Sequence, residues 1–439
     1  MLCQQGADQP SEECEQGGSE ADRGNEACRK VAHIAAAGIL ERPDPDEAEK
    51  SGDERHGGEE RRSHQPAPPK APLGPHLREQ SGEAGPHQDR EREADEDHRP
   101  VHGAGASREP AVRQSIGQRM DEPILDCLII GGGPAGLTAA IYLARFHLDI
   151  LVVDGGKSRA SWIPCTRNVS GFPDGINGEE LLQRMRDQAC KYGAKIETEF
   201  VTKLERNKDT GHFTATWGSG EASARTVLLA TGVTNRRPPM DEELHDDALA
   251  RGLVRYCPIC DGYEVTDKRV GVIGSDSHGV AEAVFIRSFT ADVTLIAPDT
   301  ALKLKPEDQA KLKAAGIGCI DGPANAVAAS DGFIVVETAE GTHAFDSVYP
   351  ALGSDVHVQL AEQVGAKLSD DCSLIVDRHQ RTDIPGLYAA GDVVLGLDQI
   401  SHAMGEGGVV ATTIRNDLAE RSPLLRDPLP VMEDAETGS

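Results

Sequence analysis

Cys257-Pro258-Ile259-Cys260 is the stretch whose residue types point most directly to chemistry. Two cysteines three positions apart can bring their sulfurs within bonding distance and form a small reversible disulfide. Proximity and a helix-end dipole can lower the pKa of one thiol, and the thiolate is the reactive form. Asp261 follows immediately. If burial raises its pKa, its carboxyl can shuttle a proton to and from the thiolates as the disulfide opens and closes. Two plainer readings compete. The pair could be half of a zinc site, which needs a second pair at suitable spacing; only Cys319, Cys372 and scattered His remain for it. Or the two cysteines could be buried and inert.

The dithiol needs an electron carrier, and the sequence offers a nucleotide-binding turn. Ile124–Ile130 is a continuous apolar run that reads as a buried parallel strand. Gly131-Gly-Gly133-Pro134-Ala135-Gly136 follows, then a helical stretch over Leu137–Phe146. This is G-x-G-x-x-G between strand and helix, the setting the motif requires. Gly131 allows the tight turn, Gly133 lets the backbone approach a pyrophosphate, and Gly136 lets the helix pack on the strand. The helix N-terminus then faces the phosphates. A second strand, Asp149–Val153, ends at Asp154, where a carboxylate can accept from a ribose hydroxyl. The motif alone does not choose between FAD and NAD. Further on, Gly386–Asp392 reads as a short strand ending in Gly391-Asp392, and Ser401–Ile414 as a helix of small residues. Asp392 could bond a ribityl or phosphate oxygen, and the helix start offers free N–H groups to a reduced isoalloxazine.

Taken together, these segments resemble the low-molecular-weight thioredoxin reductases, a class of FAD-dependent pyridine nucleotide-disulfide oxidoreductases. The resemblance spans nearly all of 122–420. It rests on Gly131–Gly136, Asn168–Gly178, Ala230-Thr231-Gly232, Cys257–Gly262 and Tyr388–Asp392, in that order. It implies an α/β fold of two Rossmann-like (three-layer ββα) nucleotide-binding domains, the second inserted in the first. It also implies an FAD flavoprotein that passes electrons from NADPH or NADH through the flavin to the dithiol, and on to a thioredoxin-like protein or a small disulfide. Cys260 would face the flavin, Cys257 would attack the external disulfide, and Asp261 would be the acid/base. Asn168, Ala230, Thr231, Gly232, Gly391, Asp392, Gln399 and Ile400 would join the glycine turn and Asp154 around the cofactor. Members of the family form homodimers, and their inserted domain rotates to present the dithiol to flavin or partner.

The second nucleotide segment departs from the family pattern. Lys268–Ile273 reads as a strand, Val280–Phe289 as a helix, and Asp292–Ile296 as the next strand. The loop Gly274-Ser-Asp276-Ser-His-Gly279 has Asp at the third position, where a nucleotide fingerprint has Gly. A carboxylate there should repel a pyrophosphate. After the second strand, Ala297-Pro298-Asp299 stands where NADPH-using relatives carry His-Arg-Arg, so no arginine awaits a 2′-phosphate. A dithiol oxidase that hands electrons to oxygen is therefore a competing reading, and a non-catalytic flavin- or zinc-bearing module a third. Lys157 and Arg159 read as solvated basic residues, against an approach to phosphates; His402 as a hydrogen-bonded structural histidine, against a catalytic one near the flavin edge; and Trp162 and Phe172 as packing residues, against flavin stackers.

These segments sit in a chain of 439 residues that is long enough for two to four domains. Residues 1–119 contain no Phe, Trp or Tyr and read as disordered, with Val31–Leu40 their one possible helix. Met120 stands where a compact flavoprotein would begin. The stretch before it reads as a dispensable tail or an upstream mistranslation, against the alternative of a functional tail. The expected division is 120–236 and 351–425 for the FAD domain, 237–350 for the inserted domain, and 426–439 for a tail. Asn235–Pro239 leads into the insertion, and Val348–Gly353 is the expected return hinge. The formal charge of −28 argues against non-specific nucleic-acid binding and against anionic membranes. No apolar run is long enough for a transmembrane helix. Seven cysteines lie after Met120 with only Cys257 and Cys260 close together, which fits a cytoplasmic redox protein rather than a secreted disulfide framework.

Overall fold

The computed structural model describes residues 29–30, 124–330 and 332–426. The readings of 1–119, including the Val31–Leu40 helix, and of 427–439 fall outside them. The exception is Arg29–Lys30, which pairs antiparallel with Asp355 and Ser354.

Apolar strands buried on both faces build the centre of the larger sheet. β1 (Leu125–Ile130) pairs in parallel with β2 (Ile150–Val153) and with β6 (Gly220–Leu229). β3 (Lys195–Glu197) extends the parallel edge beyond β2. β4 (Val201–Arg206) and β5 (Phe213–Trp217) form an antiparallel pair, and β5 joins the first half of β6. The ten-residue β6 thus serves two neighbourhoods, because its second half also carries β16 (Leu387–Ala389) in parallel. Helices α1 (Pro134–Arg145) and α2 (Gly178–Lys191) follow β1 and β2, and the long α8 (Ile400–Arg421) follows β16. α1 and α8 pack closely because Gly407 has no side chain. A Cβ there would lie 2.5 Å from the Ala135 carbonyl oxygen.

Between β6 and β16 the chain leaves for a second array. Its parallel sheet has the order β10-β9-β8-β14, from β8 (Val270–Ile273), β9 (Val293–Ile296), β10 (Gly318–Ile320) and β14 (Ser347–Pro350). α3 (Glu242–Ala250), the short α4 (Pro258–Asp261), α5 (Ser277–Ile286) and α6 (Pro306–Ala315) accompany it. β11 (Ala326–Ser330), β12 (Phe333–Thr338) and β13 (Gly341–Phe345) make an antiparallel meander. The outgoing β7 (Val233–Asn235) and the returning β15 (Ser354–Val356) pair antiparallel, so the two crossings form one ribbon. α7 (Gln359–Gln363) then leads back over β4. The result is two Rossmann-like α/β arrays, the second inserted in the first, each with its own apolar clusters.

Several expectations need correction. Val348–Pro350 is not hinge: it belongs to β14, a buried strand paired with β8, and the return begins at Ala351. The run Ser-Val-Tyr-Pro is apolar enough to be sheet core, which outweighs its place near the boundary. α1 and α5 start three residues earlier than the periodicity suggests. Pro134 occupies the first helical position, where its fixed φ suits a helix start, and Asp276 caps α5. α8 runs to Arg421, seven residues past the expected end.

Candidate active site

The two sulfurs are bonded to each other, Cys257–Cys260 at 2.08 Å. Proline at the first position of α4 starts a helical turn in which Cys257 is the N-cap, and its sulfur accepts from the Cys260 N–H at 3.1 Å. Gln399, from the start of α8, donates its Nε2 to Cys257 Sγ at 3.2 Å and to Cys260 Sγ at 3.3 Å. A residue of the larger array therefore touches a disulfide carried by the inserted one.

Asp261 turns its carboxylate inward. Oδ1 accepts from the Tyr349 hydroxyl at 2.9 Å and Oδ2 from Arg255 at 2.9 Å. Burial raises its pKa above the ordinary carboxylate value, while Arg255 and Tyr349 pull it part of the way back. Tyr349 is fully buried, and burial with the Asp261 charge drives its own pKa far upward, so it remains a donor.

A cavity of about 750 Å³ opens beside the disulfide. Every expected redox and cofactor residue lines it except Gly136. Gly136 instead lies behind the turn, where a Cβ would sit 2.0 Å from the Gly131 carbonyl oxygen. Gly131 has φ +110°, and a Cβ there would lie 2.3 Å from the Ala230 oxygen. The turn thus tolerates only glycine at both ends. Gly133 caps α1 with no side-chain hydrogen bond, so the first amides of α1 stay open to the cavity. That is a ready cradle for a pyrophosphate. Asp154 closes β2, its oxygens taking the Gly156 N–H at 3.1 Å and Arg186 at 3.2 Å. A carboxylate has about four acceptor positions, which leaves room for a ribose hydroxyl. Thr231 donates to the His357 oxygen at 2.7 Å, tying the cavity wall to the returning chain. The donor set, the open helix end and the volume fit FAD.

Some neighbours were not legible in the sequence. Arg159 is no solvated base: it holds Asp392 at 3.1 Å and Asp398 at 3.2 Å. Arg186 reaches Asp154 from α2. Glu406, buried and with its pKa raised by that burial, accepts from the Gly391 N–H at 2.7 Å and meets His402 at 3.1 Å. The i, i+4 spacing of His402 and Glu406 on a helix was the available signal. His402 thus makes the kind of contact expected of a hydrogen-bonded histidine. Trp162 packs against His245 and Tyr256, and Phe172 lies under Arg184. Among the described residues, no group of three or more His, Cys, Asp or Glu could hold a metal ion.

The second array has a pocket of similar size, about 750 Å³, at the start of α5. Here the helix end is not open. Asp276 accepts from the His278 and Gly279 N–H groups, both at 3.1 Å. Its carboxylate fills the position where a dinucleotide would lay its pyrophosphate. Asp299 adds a second acid to the lining, and the two arginines there are engaged elsewhere: Arg236 with Asp355, Arg237 with Glu242 and the Trp162 face. These residues do not fit the pyrophosphate of a pyridine nucleotide.

Comparison with known proteins agrees with the geometry. Residues 125–407 match the pyridine nucleotide-disulphide oxidoreductase family. A thioredoxin reductase of Listeria monocytogenes serovar 1/2a is 30% identical over 315 residues, covering 68% of this chain and 96% of the relative. The crystal structure of HlmI superposes with a TM-score of 0.63 at 28% identity, over 68% of this chain and 93% of that one. The thioredoxin reductase of Streptococcus pyogenes MGAS5005 does so with 0.62 at 28% identity, over 68% and 99%. With its glycine cradle and bonded cysteine pair on one cavity, the chain belongs to the pyridine nucleotide-disulphide oxidoreductase family, and its relatives are thioredoxin reductases.

Proposed function

We propose that the protein is an FAD-dependent disulfide oxidoreductase that exchanges electron pairs between its flavin and the Cys257/Cys260 pair, and between that pair and a disulfide or dithiol partner. One observation carries this reading: the bonded sulfurs and the open phosphate cradle line the same cavity. Bound there, FAD would supply reversible two-electron chemistry. The turn Gly131–Ala135 and the α1 amides would hold its pyrophosphate, Asp154 its ribose and Asp392 its ribityl chain. Cys257 would exchange with the partner, Cys260 would face the flavin, and Asp261 would carry the proton. The proposed partner is a thioredoxin-like protein or a small disulfide, in keeping with the relatives' names. We read 120–236 with 351–425 as the FAD domain and 237–350 as the inserted domain, in a cytoplasmic homodimer. No described helix is long and apolar enough to cross a membrane.

NADPH or NADH is the electron donor that the family suggests. The Asp276 cap favours a second direction of flow. There a substrate dithiol loses two electrons and two protons and closes to a disulfide, while Cys257–Cys260 opens to the dithiol. Dioxygen finally receives the pair and is released as peroxide. An anaerobic titration decides. The purified protein is expected to be yellow. Bleaching by NADPH or NADH supports the reductase; bleaching by dithiols alone, with peroxide on admitting air, supports the oxidase. In either direction Cys257→Ser abolishes turnover of the external partner. A colourless protein that takes up no FAD, or turnover that survives Cys257→Ser, overturns the proposal.

A further inference from the structure

Gln399 has a fixed orientation. Its Oε1 accepts from Asn168 Nδ2 at 2.9 Å, and Asn168 is itself oriented by Thr166, whose hydroxyl donates to Asn168 Oδ1 at 3.1 Å. One Nε2 hydrogen goes to the Asp398 carbonyl at 2.9 Å. The other is left for the two sulfurs, which lie at nearly equal distances from it. The oxygen also lies 3.6 Å from Cys260 Sγ, but the bonded sulfurs carry no hydrogen, so toward them the amide acts as a donor. Gln399 is 8% exposed, so water does not compete strongly for that hydrogen.

The carboxylates around the sulfurs each meet an arginine, two of them sharing one. Asp261 is held by Arg255, Glu264 by Arg167, and both Asp392 and Asp398 by Arg159. Tyr256, beside Cys257, has its pKa raised by burial and stays neutral. The local donors on the sulfurs are the Cys260 N–H, which reaches only Cys257, and the Gln399 amide, which reaches both.

We propose that Gln399, oriented by Asn168, is a catalytic hydrogen-bond donor that stabilises the thiolate formed when the Cys257–Cys260 bond opens. When an external dithiol delivers two electrons, the S–S bond breaks and the donor closes to its own disulfide. One cysteine sulfur takes one of the donor's two protons, the Asp261 carboxylate takes the other, and the second sulfur remains as the thiolate that receives the Gln399 hydrogen. A hydrogen bond to a charged acceptor outweighs one to the neutral disulfide. The amide therefore favours the reduced, singly ionised state. Its place at the start of α8 makes this stabilisation dependent on the disulfide lying against the larger array, so the dithiol is most acidic where it would meet the flavin.

The inference deepens the redox reading above but is tested apart from flavin turnover. The holoprotein is reduced anaerobically with dithiothreitol, desalted, and alkylated with iodoacetamide across pH 5–9. Peptide mass spectrometry separates Cys257 and Cys260 from the exposed Cys190 and Cys319. Gln399→Leu should move the alkylation profile of the more acidic thiol up by about one pH unit, a roughly tenfold loss of thiolate at neutral pH. Gln399→Glu keeps the shape but turns an acceptor toward the sulfurs, and should move it further. Asn168→Ala frees the amide to flip and should give a smaller shift in the same direction. Profiles of Gln399→Glu and Asn168→Ala that overlay the unmodified protein overturn the role, whether or not the leucine variant folds. A protein without flavin whose profile still shifts would sink the flavin reading and leave this one standing.

Discussion

At the scale of single residues, Asp261 is where proton chemistry and stability meet. Burial is the largest influence on its carboxyl and raises the pKa, against the pull of Arg255 and Tyr349. The folded state therefore holds this proton more tightly than the unfolded chain does. The associated stability is fully present below the ordinary carboxylate value and is lost as pH rises through the raised one. Catalysis runs the other way in the dithiol-oxidising direction, because only the carboxylate can accept a thiol proton. Turnover should fall as pH drops through the raised value. Asp261→Asn should lower turnover about 100-fold or more, the usual share of a positioned general base, and remove that acid limb. A variant with an unchanged pH–rate profile would take the role away from Asp261. The pair and its acid were legible in the sequence because their chemistry is local, within five consecutive residues. Arg159 was not: its partners stand 233 and 239 positions away, and no local pattern encodes such a meeting. Gln399 was named through resemblance to a family, as a cofactor neighbour; its contact with the sulfurs required the fold.

At the scale of elements, two helix starts that look alike in sequence behave differently. α1 begins behind Gly133 with no side chain over its amides, whereas α5 begins behind Asp276, which occupies them. The glycine spacing reported the first because Gly131 and Gly136 answer steric demands of the turn itself. The substitution at 276 was visible too, but as repulsion of a ligand; the structure shows a second effect, an internal cap. The cap contributes about 1 kcal/mol to α5, and glycine, itself a tolerated cap, loses only about a few tenths of it. Asp276→Gly should therefore fold normally while uncovering two N–H donors and removing a like charge. Calorimetric titration should show NADPH or NADH binding at least tenfold tighter than to the unmodified chain, about 1.4 kcal/mol or more. Equal affinities would mean that the carboxylate does not govern the pocket. What the sequence left unread at this scale were lengths: β6 begins before its most apolar stretch because β5 pairs with its first half, and α8 runs past Ile414 with Leu418 anchored in the core.

At the scale of the whole molecule, the two arrays are joined by the β7–β15 ribbon and held by an aromatic cluster beside the cavity. Trp162, from the larger array, meets His245 edge-on with ring centres 5.6 Å apart and Tyr256 at 6.2 Å. Arg237, where the chain enters the insertion, lies 4.5 Å over the same ring. His245 is fully buried, and burial lowers its pKa, so the imidazole that bonds Tyr256 at 2.8 Å is neutral near pH 7. Because Tyr256 precedes Cys257 directly, this cluster fixes the approach of the disulfide to Gln399 and the cavity. An aromatic pair adds about 0.5–1.5 kcal/mol beyond its area, and a cation over a ring about 0.5–1 kcal/mol. Trp162→Ala should then favour separated arrays by about 1–2 kcal/mol, a factor of roughly 5–30. Reduction of the Cys257–Cys260 bond by an external phosphine should accelerate within that range, while electron exchange with the flavin slows. If phosphine reduction keeps its rate in the variant, the cluster is packing alone, and the arrays are held together by the ribbon and by contacts such as Arg167 with Glu264.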